Sequence, residues 1–246
     1  MSKKVWTDEY IVQSYHIDFT SKARLTSICR FFQESAWRHA SDAKLGYHDL
    51  LKNNHLWILY KLKLKINEFP EWADKFYLTT WAKNTDRLFA YRDFEIRSAN
   101  DEDRLFIKGT SKWVIVDIQN KRPQKMNTYA SLMPLNKQEA ISENPGKVML
   151  DDKFDTSTTR KVVYSDIDIN HHVNNVKYIE WILDMYSLYF LKDNYLNEFK
   201  IDYIHEAEFS EEIELKASFY YGKHSFLALN KEGKEIFRAK MLWNKK

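Results

Sequence analysis

The chain has 246 residues, 44% of them hydrophobic and 15% aromatic, enough to bury a substantial core in one large domain or two small ones. Its net charge of +3 comes from acids and bases mixed along the chain, without the basic block that marks a nucleic-acid surface. A single cysteine, Cys29, excludes an internal disulfide and a cysteine-based zinc site.

From Met1 the chain turns polar at once, with no signal-peptide core, and no apolar run reaches membrane-spanning length. A cytoplasmic protein without stable membrane insertion is expected. Tyr10 to Tyr15 reads as a strand, and Asp18-Phe19-Thr20-Ser21-Lys22 leads into a helix. Its buried stripe is Leu25, Ile28, Cys29, Phe32, Ala36 and Ala40, at three- and four-residue steps. Strands follow at Leu56 to Ile66, Phe76 to Trp81, Phe89 to Ile96 and Leu105 to Val116. Within the first of these, Lys61, Lys63 and Lys65 alternate as a solvated face would. Three of the four prolines (Pro123, Pro134, Pro145) then fall in a stretch with little periodicity. We place a linker or crossover at 126–156, between domains at 1–125 and 157–246.

The second domain repeats the order of the first. A short strand, Lys161 to Tyr164, precedes a polar loop. A helical stripe follows through Val176, Ile179, Ile182, Leu183, Tyr186, Tyr189 and Phe190. Strands are expected at Ile201 to Phe209, Ile213 to Tyr221, Ser225 to Asn230 and Glu235 to Trp243, with a hairpin turn at Glu232-Gly233-Lys234. Two copies of strand, helix and antiparallel sheet imply an α+β fold in which each half is a long helix wrapped by a curved antiparallel sheet.

The polar loop, Ser165 to Tyr178, concentrates acid, amide and imidazole groups at the entrance to a helix. Unpaired N–H groups and the positive end of the helix dipole favour developing negative charge there. The backbone at Val173 and Asn174 is therefore a candidate oxyanion site. Any one of these polar residues alone would be an ordinary cap or turn residue. In combination, Asp168, Asn170 and His172 sit at alternate positions, which puts them on one side of an extended backbone. Only the second copy has this set, so one active site per chain is expected. Five glycines supply neither a phosphate-cradling loop nor a Gly-x-Ser-x-Gly elbow.

These residues resemble the acyl-acyl carrier protein thioesterases. That family's Asp-x-Asn-x-His-Val-Asn-Asn-x-Lys-Tyr signature stands here as Asp168, Asn170, His172, Val173, Asn174, Asn175, Lys177 and Tyr178. Trp181 to Asp184 continue it, and Tyr203-Ile204-His205-Glu206 resembles a later Tyr-x-x-Glu segment. Phe32 to Ala36, Leu56 to Ile58 and Trp113 to Ile115 match in the first half. The resemblance implies a tandem double hot-dog that needs no cofactor and no metal, and that hydrolyses fatty acyl-acyl carrier protein to end chain extension. Its partner would be an acyl carrier protein, and the chain a monomer or homodimer. An acyl-CoA thioesterase and a non-catalytic acyl-binding protein stay open as alternatives. Without the plant members' transit peptide, the chain looks like a bacterial-type member.

The resemblance also assigns roles. Glu206, on the next strand, would position or deprotonate water, and Asp168 would either orient Asn170 and His172 or attack directly. Plant members often carry Cys after the later Glu, where this chain has Ala207; Cys29 is expected as a packed small hydrophobe. The aromatic-rich first copy, with Phe32 and Trp57, is expected to wall the acyl chain.

Overall fold

The computed structural model describes residues 2–150 and 153–246, in two compact units, Met1–Pro145 and Gly146–Lys246. In the first unit, strand β1 (Trp6–Ile11) precedes helix α1 (Leu25–Asp42) and a short helix α2 (Tyr47–Leu51). Strands β2 (His55–Ile66), β3 (Lys75–Thr85), β4 (Phe89–Ser98) and β5 (Leu105–Asp117) complete an antiparallel sheet in the order β1-β3-β4-β5-β2. The expected stripe of α1 is buried from Leu25 to Ala36, with Ala40 at its edge. Phe32 stacks on Phe94 of β4 at 4.3 Å, and Phe31 meets Phe76 of β3 edge-on. The approach of Phe32 to the sheet requires a glycine at 109, where a Cβ would lie 2.8 Å from the ring. The first strand lies earlier than its hydrophobic pattern suggests. Beyond Ile11 the chain turns through a short 3-10 segment at Ser14–His16.

The far face of this sheet differs from expectation. Lys61 and Lys63 are buried, and only Lys65 of the three lysines is exposed. The stretch expected as a crossover, 126–156, divides at Pro145, and its first part belongs to the first unit. Met126 and Tyr129 pack with Leu45, Leu50, Ala90 and Ile115. Residues 136–143 then lie along the sheet as a strap. The fully buried carboxylate of Asp93 accepts the Ala140 N–H at 2.9 Å and lies 3.5 Å from the buried Lys83 ammonium. Lys83 donates to the Ile141 carbonyl, Trp81 Nε1 donates to Gln138, and Lys63 donates to Glu143. Buried charges persist only when paired and hydrogen-bonded in this way.

In the second unit, β6 (Thr156–Lys161) leads through the polar loop to α3 (Asn175–Leu183) and α4 (Leu188–Asp193). Strands β7 (Asn194–Tyr203), β8 (Glu212–Tyr220), β9 (Lys223–Asn230) and β10 (Glu235–Lys245) give the sheet order β7-β10-β9-β8-β6. The long continuous helix expected here is two short ones. Asp184 caps α3, and the Ser187 hydroxyl accepts the Phe190 N–H to start α4, leaving Tyr189 exposed. Val176, Ile179 and Ile182 still bury fully, each contributing about 1.5–3 kcal/mol. The register of the unit also moves two expectations. Of Lys161 to Tyr164 only Lys161 is in a strand, as the last residue of β6, and Tyr164 opens a 3-10 turn; Glu206 lies beyond β7 in a loop rather than on it. No helix among the described residues is long and apolar enough to cross a membrane.

Each unit buries one histidine in neutral form. The Arg92 guanidinium donates to His39 Nδ1 at 3.0 Å, and burial, reinforced by Arg92, depresses the His39 pKa to about 4. In the second unit the Tyr186 hydroxyl bonds His224 Nδ1 at 2.8 Å while accepting the Trp243 indole N–H; burial likewise brings His224 to about 4. Between that value and the ordinary 6.5, the unfolded chain binds protons that the fold excludes. Unfolding free energy should therefore fall as pH drops from about 6.5 towards about 4, and His224→Gln should reduce that slope in denaturant titrations. Asp93→Ala would take from the buried Lys83 its buried carboxylate, leaving only Glu139 at 3.8 Å, and orphan the Ala140 N–H. Chemical denaturation should register a loss of about 3–5 kcal/mol.

Candidate active site

The loop between β6 and α3 is a tight reversal. Ile167 and Val173 pair across it as an isolated antiparallel bridge. The Asp168 N–H donates to the His172 carbonyl at 2.9 Å, and the His171 N–H donates to the Asp168 carbonyl at 3.0 Å. His171 takes the left-handed conformation, φ +63°, that closes the turn. The Asp168 carboxylate accepts the Asn170 N–H at 2.8 Å, an Asx turn. The expectation of an extended segment with alternating side chains is thus corrected: the backbone folds back between Asp168 and His172.

The oxyanion expectation is corrected as well. The Val173 N–H already donates to the Ala207 carbonyl at 3.0 Å, and the Asn174 N–H donates to the Asp166 carbonyl at 2.8 Å. Asn174 is the N-cap of α3, its side chain accepting the Val176 N–H at 3.0 Å. Both N–H groups are spent on the fold.

What the loop does present is His172. The bond from Val173 to Ala207 draws the 205–208 segment alongside, and His172 Nε2 stands 3.4 Å from Glu206 Oε2. The Glu206 side chain is 37% exposed and that of His172 20%, so the pair is partly open to solvent. His172 Nδ1 is buried without a hydrogen-bond partner. Placing the proton of a neutral ring on Nε2 avoids burying an orphan donor and directs an N–H at Glu206. Burial raises the Asp168 carboxyl above its ordinary value; the Asn170 N–H and His172 oppose that rise, and Glu206 adds to it. Asp168, His172 and Glu206 are therefore electrostatically coupled, and Asn170 is half-buried on the same turn.

His171 is exposed, and His205 turns away to bond the Glu235 carbonyl. Cys29 is buried on α1 in the first unit, its thiol pushed up to about 12 by burial. Phe32 is locked between α1 and the sheet, while Trp57 is half-buried and donates to the Leu45 carbonyl. Sequence reasoning passed over Tyr178, whose buried hydroxyl accepts the Ala207 N–H at 3.0 Å, next to Glu206. The available signal was a tyrosine at a helix position that must be buried, where the hydroxyl needs a partner.

The first unit carries the same loop without the chemistry. Asp18 N–H donates to the Lys22 carbonyl, the Asp18 carboxylate accepts the Thr20 N–H, and Ser21 takes φ +65°. Ala23 N–H donates to the Pro70 carbonyl as Val173 does to Ala207. Lys22 stands where the second unit has His172, and Phe69 where it has Glu206.

Comparison with known proteins follows the same division. The acyl-ACP thioesterase N-terminal domain matches residues 3–130, and the acyl-ACP thioesterase C-terminal domain matches 150–245. A palmitoyl-acyl carrier protein thioesterase of Gossypium hirsutum is 26% identical over 219 residues, 82% of this chain and 52% of its own length. An oleoyl-acyl carrier protein thioesterase of Arabidopsis thaliana is 24% identical, covering 98% of this chain and 76% of its own. The chain spans about half the length of the first plant relatives it matches. Among solved structures, an acyl-ACP thioesterase of Bacteroides thetaiotaomicron superposes with a TM-score of 0.88 at 24% identity, covering 98% of each chain. The 12:0-ACP thioesterase of Umbellularia californica gives 0.89 at 18% identity over 100% of this chain and 99% of its own. These establish the α+β fold of two hot-dog units in tandem. With one domain model over each unit, the chain belongs to the acyl-ACP thioesterase family.

Proposed function

We propose that this protein hydrolyses fatty acyl-acyl carrier protein, releasing free fatty acid and the carrier thiol. The observation that carries this reading is the 3.4 Å pair of His172 Nε2 and Glu206 Oε2 at a helix entrance, in a chain of this family. Glu206 takes a proton from water, whose oxygen attacks the thioester carbonyl carbon. The C–S bond then breaks, and the departing thiolate recovers a proton from Glu206. His172 Nε2–H orients Glu206 or turns to the carbonyl oxygen as charge develops there. With the Val173 and Asn174 N–H groups engaged, we assign the Asn170 carboxamide to that oxygen as well. Asp168 orients the loop: its carboxylate already holds the Asn170 N–H, as Asp18 holds Thr20 in the unit without chemistry. No step requires a cofactor. The natural partner is an acidic carrier protein, which a chain of net charge +3 attracts over distance.

One preparation assayed for thiol release from acyl-carrier protein, the matching acyl-CoA and an enoyl thioester tests the assignment. Carrier-linked substrate should show the highest kcat/KM, declining with salt; equal turnover of acyl-CoA at every salt concentration overturns it. Glu206→Gln should cost about 10²–10⁴-fold in kcat with the fold intact, whereas Cys29→Ser should stay near the parent. Asp168→Asn keeps the oxygen that closes the turn and Asp168→Ala does not. Alanine should therefore be the more damaging, and equal loss of kcat in both would instead make Asp168 a nucleophile. Trimming Trp57 to Leu should shift the chain length of the released acids, read by chromatography of the products.

A further inference from the structure

Glu206 sits in a loop beyond the end of β7, without a strand's ladder to hold it. The next residue, Ala207, is fully buried and uses both backbone groups. Its carbonyl accepts from Val173, and its N–H donates to the hydroxyl of Tyr178 at 3.0 Å. Tyr178 is itself 2% exposed, one turn into α3, with its ring wedged among Trp181, Tyr203 and Phe237. Burial raises its pKa, and the charges of Glu206, Glu211 and Asp168 add to that rise, so the phenol stays protonated beside the site.

The first unit shows what this hydroxyl is for. The place of Tyr178 in α3 corresponds to Ile28 in α1, and the place of Ala207 corresponds to Pro70, as the bonds from Val173 and Ala23 show. Proline has no N–H to satisfy and fixes its own φ. Where the backbone donor is absent, the helix carries an aliphatic side chain. Where the donor is present, it carries a hydroxyl. The hydroxyl therefore tracks the N–H, whereas Ile28 fills the equivalent core position without one.

We propose that Tyr178 is a positioning residue for the active site: by holding the Ala207 N–H it fixes the backbone that aims Glu206 at His172. The proposal rests on the reading of Glu206 as the base. The two units supply the variants. Tyr178→Phe removes the hydroxyl, Ala207→Pro removes the N–H, and the double variant reproduces the hydroxyl-free pairing of the first unit. Phe69, preceding Pro70, shows that this loop tolerates the restriction proline places on its predecessor.

Tyr178→Phe should lower kcat about 10- to 100-fold with KM within about twofold, the scale of a small misplacement of a catalytic group. Amide exchange in peptides covering 204–210 should quicken in that variant. Adding Ala207→Pro should return kcat to within about threefold of the Ala207→Pro single variant. Parental kcat and unchanged exchange in Tyr178→Phe would overturn the proposal, as would a double variant whose kcat lies more than about threefold below that of the Ala207→Pro single variant. If the parent protein hydrolyses no acyl thioester, the functional reading fails by itself, and the exchange measurement still decides whether the hydroxyl holds the loop.

Discussion

The hydrogen bond from the Val173 N–H to the Ala207 carbonyl stitches together two segments that lie far apart in the chain. One is the turn that enters α3; the other is the loop that leaves β7. Because the bond joins the residue after His172 to the residue after Glu206, it sets the two side chains opposite each other. The Asx turn at Asp168 fixes one side of that stitch, and the Tyr178 hydroxyl fixes the other. The reacting groups can remain half-open to solvent because Asp168, Val173 and Ala207 behind them are held by backbone hydrogen bonds. This is the usual division between a pre-organised scaffold and the few groups it presents.

The same economy governs the far face of the first sheet. Asp93 and Lys83 are buried, oppositely charged groups, and their hydrogen bonds to Ala140 and Ile141 hold a strap that has almost no periodicity of its own. Polar groups in these cores specify where irregular chain must lie, a task that non-directional apolar contacts perform poorly.

Much of this was legible in the sequence, for reasons that can be named. The α1 stripe and strands β2 to β5 declare themselves because three- and two-residue periods follow from burying one face. The polar loop stood out because its residue types are costly to gather without a purpose. Its geometry was not legible: alternation assumes an extended backbone, and only the positive φ at His171 and the Asx turn reveal the reversal. Nor could it show that the Val173 and Asn174 N–H groups are consumed, since their acceptors, Ala207 and Asp166, lie outside the helix that suggested them. Lys63 read as solvated because nothing local announced a strap returning from beyond residue 135 to pair with it. The second helix read as continuous because the hydrophobic period survives the break at Asp184 to Ser187.

The loop around Asp18 keeps its turn, its left-handed residue and its stitch to Pro70 while lacking both the imidazole and the carboxylate of the other unit. Foldability and reactivity are thus written in different letters of the same segment. Substitutions at the reactive letters leave the turn's hydrogen bonds untouched, so a silenced copy has no reason to unravel. A duplicated domain of this kind can shed its chemistry without a structural penalty and be free to take on another task. Conversely, an aspartate at this turn reports a folded loop before it reports an enzyme.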